Sequence, residues 1–232
     1  MSRSMFTTSG VDVTVAGVSK TYKMPADDVE ALKHVDWEVR KGQAVAIMGP
    51  SGCGKSTLLN LLGGVDRPTS GRVGVDGLDV GGMDERALET YRLRKVGFVF
   101  QFYNLIPSIS AIENIELPMI MAGQPEAQSR ERAHAILSLV GLDHKAHKRP
   151  EELSGGEQQR VGVGLALAND PALILADEPT GNLDSVNADA IARLLVSLAS
   201  EHGKTVIMVS HDAQTVAHFP VTSARRDGRF ES

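Results

Sequence analysis

The apolar run AVAIM, residues 44–48, ends directly in GPSGCGKST, residues 49–57. No other stretch constrains the fold as much. Gly49 to Ser56 fits the spacing G-x-x-x-x-G-K-[ST] of a phosphate-binding turn. Its glycines let the backbone curl so that successive N–H groups face one anion. The helix-like run TLLNLL follows and offers its positive N-terminus to the same anion. Lys55 is placed to reach the β- and γ-phosphates of a nucleotide, and the Ser56 hydroxyl to ligate Mg²⁺. Gly49, Pro50, Ser51, Gly52, Cys53, Gly54, Lys55, Ser56 and Thr57 are therefore the candidate nucleotide-binding residues of this stretch. A glycine-rich bend alone would fit the octapeptide too; the strand before it and the helix after it favour phosphate. Cys53 is the one cysteine. It reads as small filler in the turn rather than a redox switch, and it suits a reducing compartment.

Other β-like runs are Val11–Val15, Val35–Val39, Val96–Phe100, Ala172–Ala176 and Thr205–Ser210. Those at 44–48, 172–176 and 205–210 are nearly all apolar, as in strands buried on both faces of a parallel sheet. Helical spacing alternates with them. Ala133, Ile136, Leu137 and Val140 repeat at i, i+3, i+4, i+7 before Gly141; Ile191, Leu194, Leu195 and Leu198 do so before Gly203. Strands alternating with helices predict an α/β domain. Residues 102–158 carry helical pattern, prolines 107, 118, 125 and 150, and little strand signal. They read as a helical subdomain inserted into the α/β core.

LILADE, residues 173–178, is an apolar strand ending in two carboxylates. After a phosphate loop, Asp177 is placed to hold Mg²⁺ through water, and Glu178 to orient or deprotonate an attacking water. A net charge of −5 without a basic block argues against nucleic-acid binding. No stretch approaches the roughly 18 unbroken apolar residues of a membrane span. The chain is expected to dock on a membrane protein, not to cross the bilayer.

LSGGEQQR, residues 153–160, decides which phosphate-loop protein this is. With it, the chain resembles the ATP-binding subunit of an ABC transporter over roughly residues 11–230. Locally the octapeptide is also a capping box, with Ser154 at N-cap and Glu157 at N3. The resemblance implies a phosphate-loop NTPase (RecA-like) core of residues 1–101 and 159–232, with an N-terminal antiparallel β subdomain and the helical subdomain at 102–158. Residues 11–232 would form one ATPase domain.

The resemblance also implies that Ser154, Gly155, Gly156 and Glu157 address ATP held by a second protomer. Tyr22, in SKTY, would stack on adenine. Gln101, in FVFQ, would sense Mg²⁺ and the membrane partner. Asp184 would end the crossing loop GNLD, residues 181–184, and His211 would contact the γ-phosphate. One phosphate loop and one signature per chain then imply a head-to-tail homodimer with two ATP at its interface. An integral membrane permease on another chain would receive the stroke near Gln101 and the following NLIP. The chain would sit peripherally on the cytoplasmic face of the membrane.

FVFQFYNLIPSISAIENIELP and LILADEPTGNLD are similar to the lipoprotein-release and macrolide-export subgroup. Other readings are a regulatory ABC ATPase of the cell-division type and the soluble ABC proteins of translation or DNA repair. The latter need two cassettes or a long coiled-coil insertion, and this chain has neither. The chain departs from the family pattern at Gly162, Gly164 and Leu165, where alanines and an arginine are usual. Drift and close packing both account for the two glycines. The stretch HFPVTSARRDGRF also departs, lacking the usual alanine-aspartate-arginine pattern.

Overall fold

A computed structural model describes residues 6–25, 27–226 and 228–230. Two sheets carry the fold. The first is antiparallel, in the order β2-β1-β4-β5, from β1 (Val13–Tyr22), β2 (Val29–Val39), β4 (Ser70–Val75) and β5 (Leu78–Asp79). The second runs β10-β9-β3-β8-β7-β6, from β3 (Ala44–Met48), β6 (Val96–Phe100), β7 (Leu173–Asp177), β8 (Thr205–Ser210), β9 (Val221–Arg226) and β10 (Arg229–Phe230). Its central strands are parallel; only β10 pairs antiparallel, with β9. The helices are α1 (Lys55–Leu62), α2 (Glu85–Lys95), α3 (Ala111–Met121), α4 (Glu126–Leu139), α5 (Gly155–Leu167), α6 (Ser185–Ser200) and α7 (Ala213–Val216).

The apolar strands divide their side chains between two cores, as period-two alternation requires. Ala44, Ala46, Ile174, Ala176, Val206 and Met208 face one core with residues of α3 to α6. Val45, Ile47, Leu173, Leu175, Ile207 and Val209 face the other, with α1 and the antiparallel sheet.

Three expected strands, at 44–48, 96–100 and 205–210, have their expected bounds. The run at 172–176 starts one residue late, because Ala172 N donates to the Lys95 carbonyl outside the ladder. The Val11–Val15 run starts at Val13 and continues to Tyr22 through polar residues. Strand β4, SGRVGV, gave no strand signal because its glycines are there for close approach. A Cβ at Gly74 would lie 2.3 Å from Thr14 Oγ1, and Gly71, at φ +83°, sits against the Gly17 carbonyl. Between Gln101 and Ser154 the described residues form helices and no strand. The expected boundary at 158/159 falls inside α5, which runs on unbroken to Leu167.

Close packing accounts for one departure from the family pattern. A Cβ at Gly164 would meet Ile115 Cδ1 at 2.9 Å and Ile136 Cγ2 at 3.1 Å. Gly162 faces the Tyr103 carbonyl, 3.2 Å from where its Cβ would be. Helix α5 thus packs closely against α3, α4 and the segment before α3, and an alanine at either position would need these neighbours to give.

Candidate nucleotide site

Four parallel strands deliver their carboxyl ends to one edge, with Met48 opposite Ser210 and Asp177 opposite both Val209 and Phe100. Open α/β sheets bind ligands at this edge. It gathers the phosphate loop after β3, Gln101 after β6, Asp177 and Glu178 at the end of β7, and His211 after β8.

Within the loop, Gly52 and Gly54 take φ of +81° and +88°. Gly54 also lies against β2, where a Cβ would come 2.2 Å from the Ala31 carbonyl. The backbone angle and this contact both exclude a side chain. Gly54→Ala is expected to abolish measurable ATP binding by calorimetry while circular dichroism keeps the parent's secondary structure. Lys55 is buried, and its Nζ donates to the Gly49 and Pro50 carbonyls at 2.7 and 3.0 Å. The same Nζ is 3.7 Å from Glu178. Ser51, Gly52, Gly54, Lys55, Ser56, Thr57 and Glu178, with Ala31, line a pocket of about 280 Å³.

A neighbouring pocket of about 280 Å³ is lined by Ser56, Gln101, Asp177 and Glu178 with Phe100, Phe102 and Asn104. Ser56 Oγ donates to Asp177 Oδ1 at 2.9 Å. Burial pushes the Asp177 carboxyl up, the Ser56 hydrogen bond opposes it, and neighbouring Glu178 raises it further. These are hard oxygen donors, few in number, which suits Mg²⁺ because that ion keeps several waters and takes one or two carboxylates.

Glu178 adopts φ +47°, the left-handed region, in a residue that is not glycine. Such strain persists only where the surroundings fix it. Its N–H donates to the Val209 carbonyl at 3.0 Å. Its Oε2 accepts from His211 N at 3.3 Å and lies 3.0 Å from His211 Nδ1. The two carboxylates therefore face different partners: Asp177 the hydroxyl of Ser56, Glu178 the imidazole and the lysine. Gln101 Nε2 donates to Asn182 Oδ1 at 3.4 Å, and Asn182 Nδ2 returns to the Gln101 carbonyl at 3.2 Å.

Tyr22 ends β1, half-buried, with its hydroxyl donating to Asp66 Oδ2 at 2.8 Å and its ring 4.9 Å from Lys20 Nζ. Burial, then the Asp66 hydrogen bond, push its phenol up.

The expected capping box is present. Ser154 Oγ accepts from Glu157 N at 3.4 Å, and Glu157 Oε2 from Ser154 N at 2.9 Å. Lys145 Nζ, 2.5 Å from Glu157 Oε1, and the Ser154 N–H hold that carboxyl below the usual range. Asp184 caps α6, accepting from Asn187 N and Nδ2 at 2.9 and 2.8 Å. A Cβ at Gly156 would lie 2.1 Å from Asn187 Oδ1, so the signature and the first turn of α6 form one surface. Ser154, Gly155, Gly156 and Glu157 line neither pocket that touches the phosphate loop.

Two features escaped sequence reasoning. Buried Gln159 links α5 to the ends of β6 and β7; a glutamine at an apolar phase of the helix was the signal. A pocket of about 360 Å³ runs from Glu178 and His211 to Asp189 and His218 on the far side.

The ABC transporter family model matches residues 32–181. An uncharacterised ABC transporter ATP-binding protein of Thermotoga maritima is 51% identical over 92% of this chain and 91% of its own length. The lipoprotein-releasing system ATP-binding protein LolD of Chromohalobacter salexigens is 42% identical, over 92% and 90%. The fold superposes with a TM-score of 0.87 on the ATP-binding cassette MJ0796, a protein of Methanocaldococcus jannaschii, in a dimeric post-hydrolysis state bound to ADP and Pi. That match is 43% identical and covers 95% of this chain and 97% of the other.

Proposed function

The chain belongs to the ABC transporter ATP-binding family, an ATP-hydrolysing subunit, and from that premise we propose how its own residues divide the work. Residues 11–232 act as one ATPase domain, with 102–158 as its helical subdomain. Lys55 and the N–H groups of the phosphate loop hold the triphosphate. Tyr22 receives the adenine at the end of β1. Ser56, Asp177 and Gln101 would hold Mg²⁺, which supplies charge neutralisation at the transferring phosphoryl group. Glu178 orients the attacking water and takes its proton. His211, hydrogen-bonded to Glu178, fixes that carboxylate and reaches the γ-phosphate.

Ser154 to Glu157 serve a second copy of the chain. The observation carrying this reading is the separation of the two phosphate-binding helix ends. The start of α1 lines both pockets of the carboxyl edge, Lys55 and Ser56 in one and Ser56 in the other, whereas Ser154 caps α5 outside them. The first turn of α5, with glycines at 155 and 156, gives an anion close access to the positive helix N-terminus. The dimeric cassette of MJ0796 supports a head-to-tail pair with ATP between its halves.

The partner of that pair is an integral membrane permease. The lipoprotein-release relatives favour energising a transporter over cell-division-type regulation. Among the described residues no helix is long and apolar enough to cross a membrane. The chain works peripherally, on the face of the membrane where the permease meets ATP.

Lys55→Ala tests the loop assignment. Calorimetry should show ATP affinity at least about tenfold weaker, because a buried point charge on the phosphates is lost. Unchanged affinity would contradict it. Co-purification with a membrane subunit, followed by a transport assay in proteoliposomes, tests the permease.

A further inference from the structure

Gln159 lies in the second turn of α5 and is fully buried. Its Nε2 donates to two carbonyls at once, Phe100 at 3.1 Å and Pro179 at 2.6 Å. Phe100 immediately precedes Gln101, and Pro179 immediately follows Glu178. Both carbonyls stand just where β6 and β7 end, with Phe100 paired opposite Asp177. One side-chain amide thus spans the two strand ends that carry the candidate metal-sensing glutamine and the candidate base. Its own backbone belongs to the helix whose first turn is Ser154 to Glu157.

Gln159 Oε1 is buried with no hydrogen-bond partner among the described residues. An unmade buried hydrogen bond is costly, and the residue is kept for its amide N–H groups, which serve the Phe100 and Pro179 carbonyls. The strained backbone of Glu178 supplies the need. A φ of +47° has to be imposed from outside, and the chain is gripped there from two sides. Glu178 N donates to Val209 of β8, and Gln159 holds the next residue's carbonyl.

We propose that Gln159 is a positioning residue that fixes the backbone of Gln101 and Glu178 relative to the α5 N-terminus. The placement of Ser154 against a second protomer's nucleotide and the placement of this chain's own base are then set together. The inference rests on the reading of Glu178 as base and of Ser154 as a contact in trans.

The test uses the purified full chain with Mg-ATP. Gln159→Met removes both donors at nearly constant volume. It should lower kcat about tenfold or more, since small displacements of a reacting group are expensive, and leave KM for ATP within about twofold. Leu137→Ala, a buried change in α4 remote from the edge, controls for lost stability. A kcat for Gln159→Met within about twofold of the parent, or a loss no larger than that of an equally destabilised Leu137→Ala, overturns the proposal.

Gln159→Glu adds a pH readout. Its neutral carboxyl donates one hydrogen bond and its ionised form none. Its kcat relative to the parent should therefore fall as pH rises, while that of Gln159→Met stays flat. A kcat for Gln159→Glu that rises relative to the parent as pH rises overturns the positioning role, because the ionised form donates nothing. Glu178→Gln separates the two levels. Ordinary turnover in that variant removes the base assignment and this inference with it. An inactive Glu178→Gln beside a fully active Gln159→Met removes only the positioning role.

Discussion

Steady-state ATP turnover of Glu178→Gln should fall by about 10²–10⁴-fold, the range a positioned general base supplies. The amide cannot take the proton of the attacking water. It keeps the size of the carboxylate and can still accept from His211 N, which Glu178 Oε2 meets at 3.3 Å. Nucleotide binding should survive, because Lys55 and the loop are untouched. On the proposed reading of Ser154, bound ATP would then hold two chains together, since contacts from Ser154 to a γ-phosphate would exist only in the closed pair. Sedimentation with Mg-ATP should show a dimer that persists for the variant and is transient for the parent. A variant that turns over normally removes Glu178 from the role. One that stays monomeric at saturating Mg-ATP removes the dimer.

The second large effect concerns stability. Lys204 is fully buried, and its ammonium pairs with Asp170 and donates to the Thr8 carbonyl at 2.7 Å. Asp170 Oδ2 also accepts from the N–H groups of Thr7 and Thr8, both at 2.9 Å. Asp170→Ala leaves a buried cation without its counter-charge, and urea unfolding should show a loss of about 3–5 kcal/mol. Lys204→Met added to it should recover part of the loss, because an uncharged side chain needs no partner. Burial works to raise the Asp170 carboxyl, but the Lys204 ammonium and the Thr7 and Thr8 N–H groups outweigh it and hold it below its ordinary value. A depressed folded value stabilises above the unfolded pKa, about 3.9, and the contribution is lost as pH falls through the folded value. The deficit of Asp170→Ala should therefore be constant near neutrality and shrink only in acid below about pH 4.

Much of this was legible in the sequence where chemistry forces residue type. The loop at 49–57, the carboxylate pair at 177–178 and the capping box at 154–157 each need particular side chains at particular spacing, and each sits on its expected element. The twice-buried strands were equally plain, because both faces demand apolar residues. What escaped depends on partners distant in sequence. Strand β4 owes its glycines to Thr14 and Gly17, and α5 owes Gly164 to Ile115 and Ile136. Gln159 reads as one more polar residue of a signature until Phe100 and Pro179 are seen beside it. Nothing in the sequence pairs Asp170 with Lys204, 34 residues apart; folding brings them together.

The order of strands in the parallel sheet has a consequence for synthesis. β3 bears the phosphate loop and lies between β8 and β9, and translation must pass from residue 48 to residue 205 before either neighbour exists. The loop therefore leaves the ribosome long before the strand that aims it has a ladder on either side. Emerging chains would have to wait, shielded or collapsed, and ATP could not act as an early template for their folding.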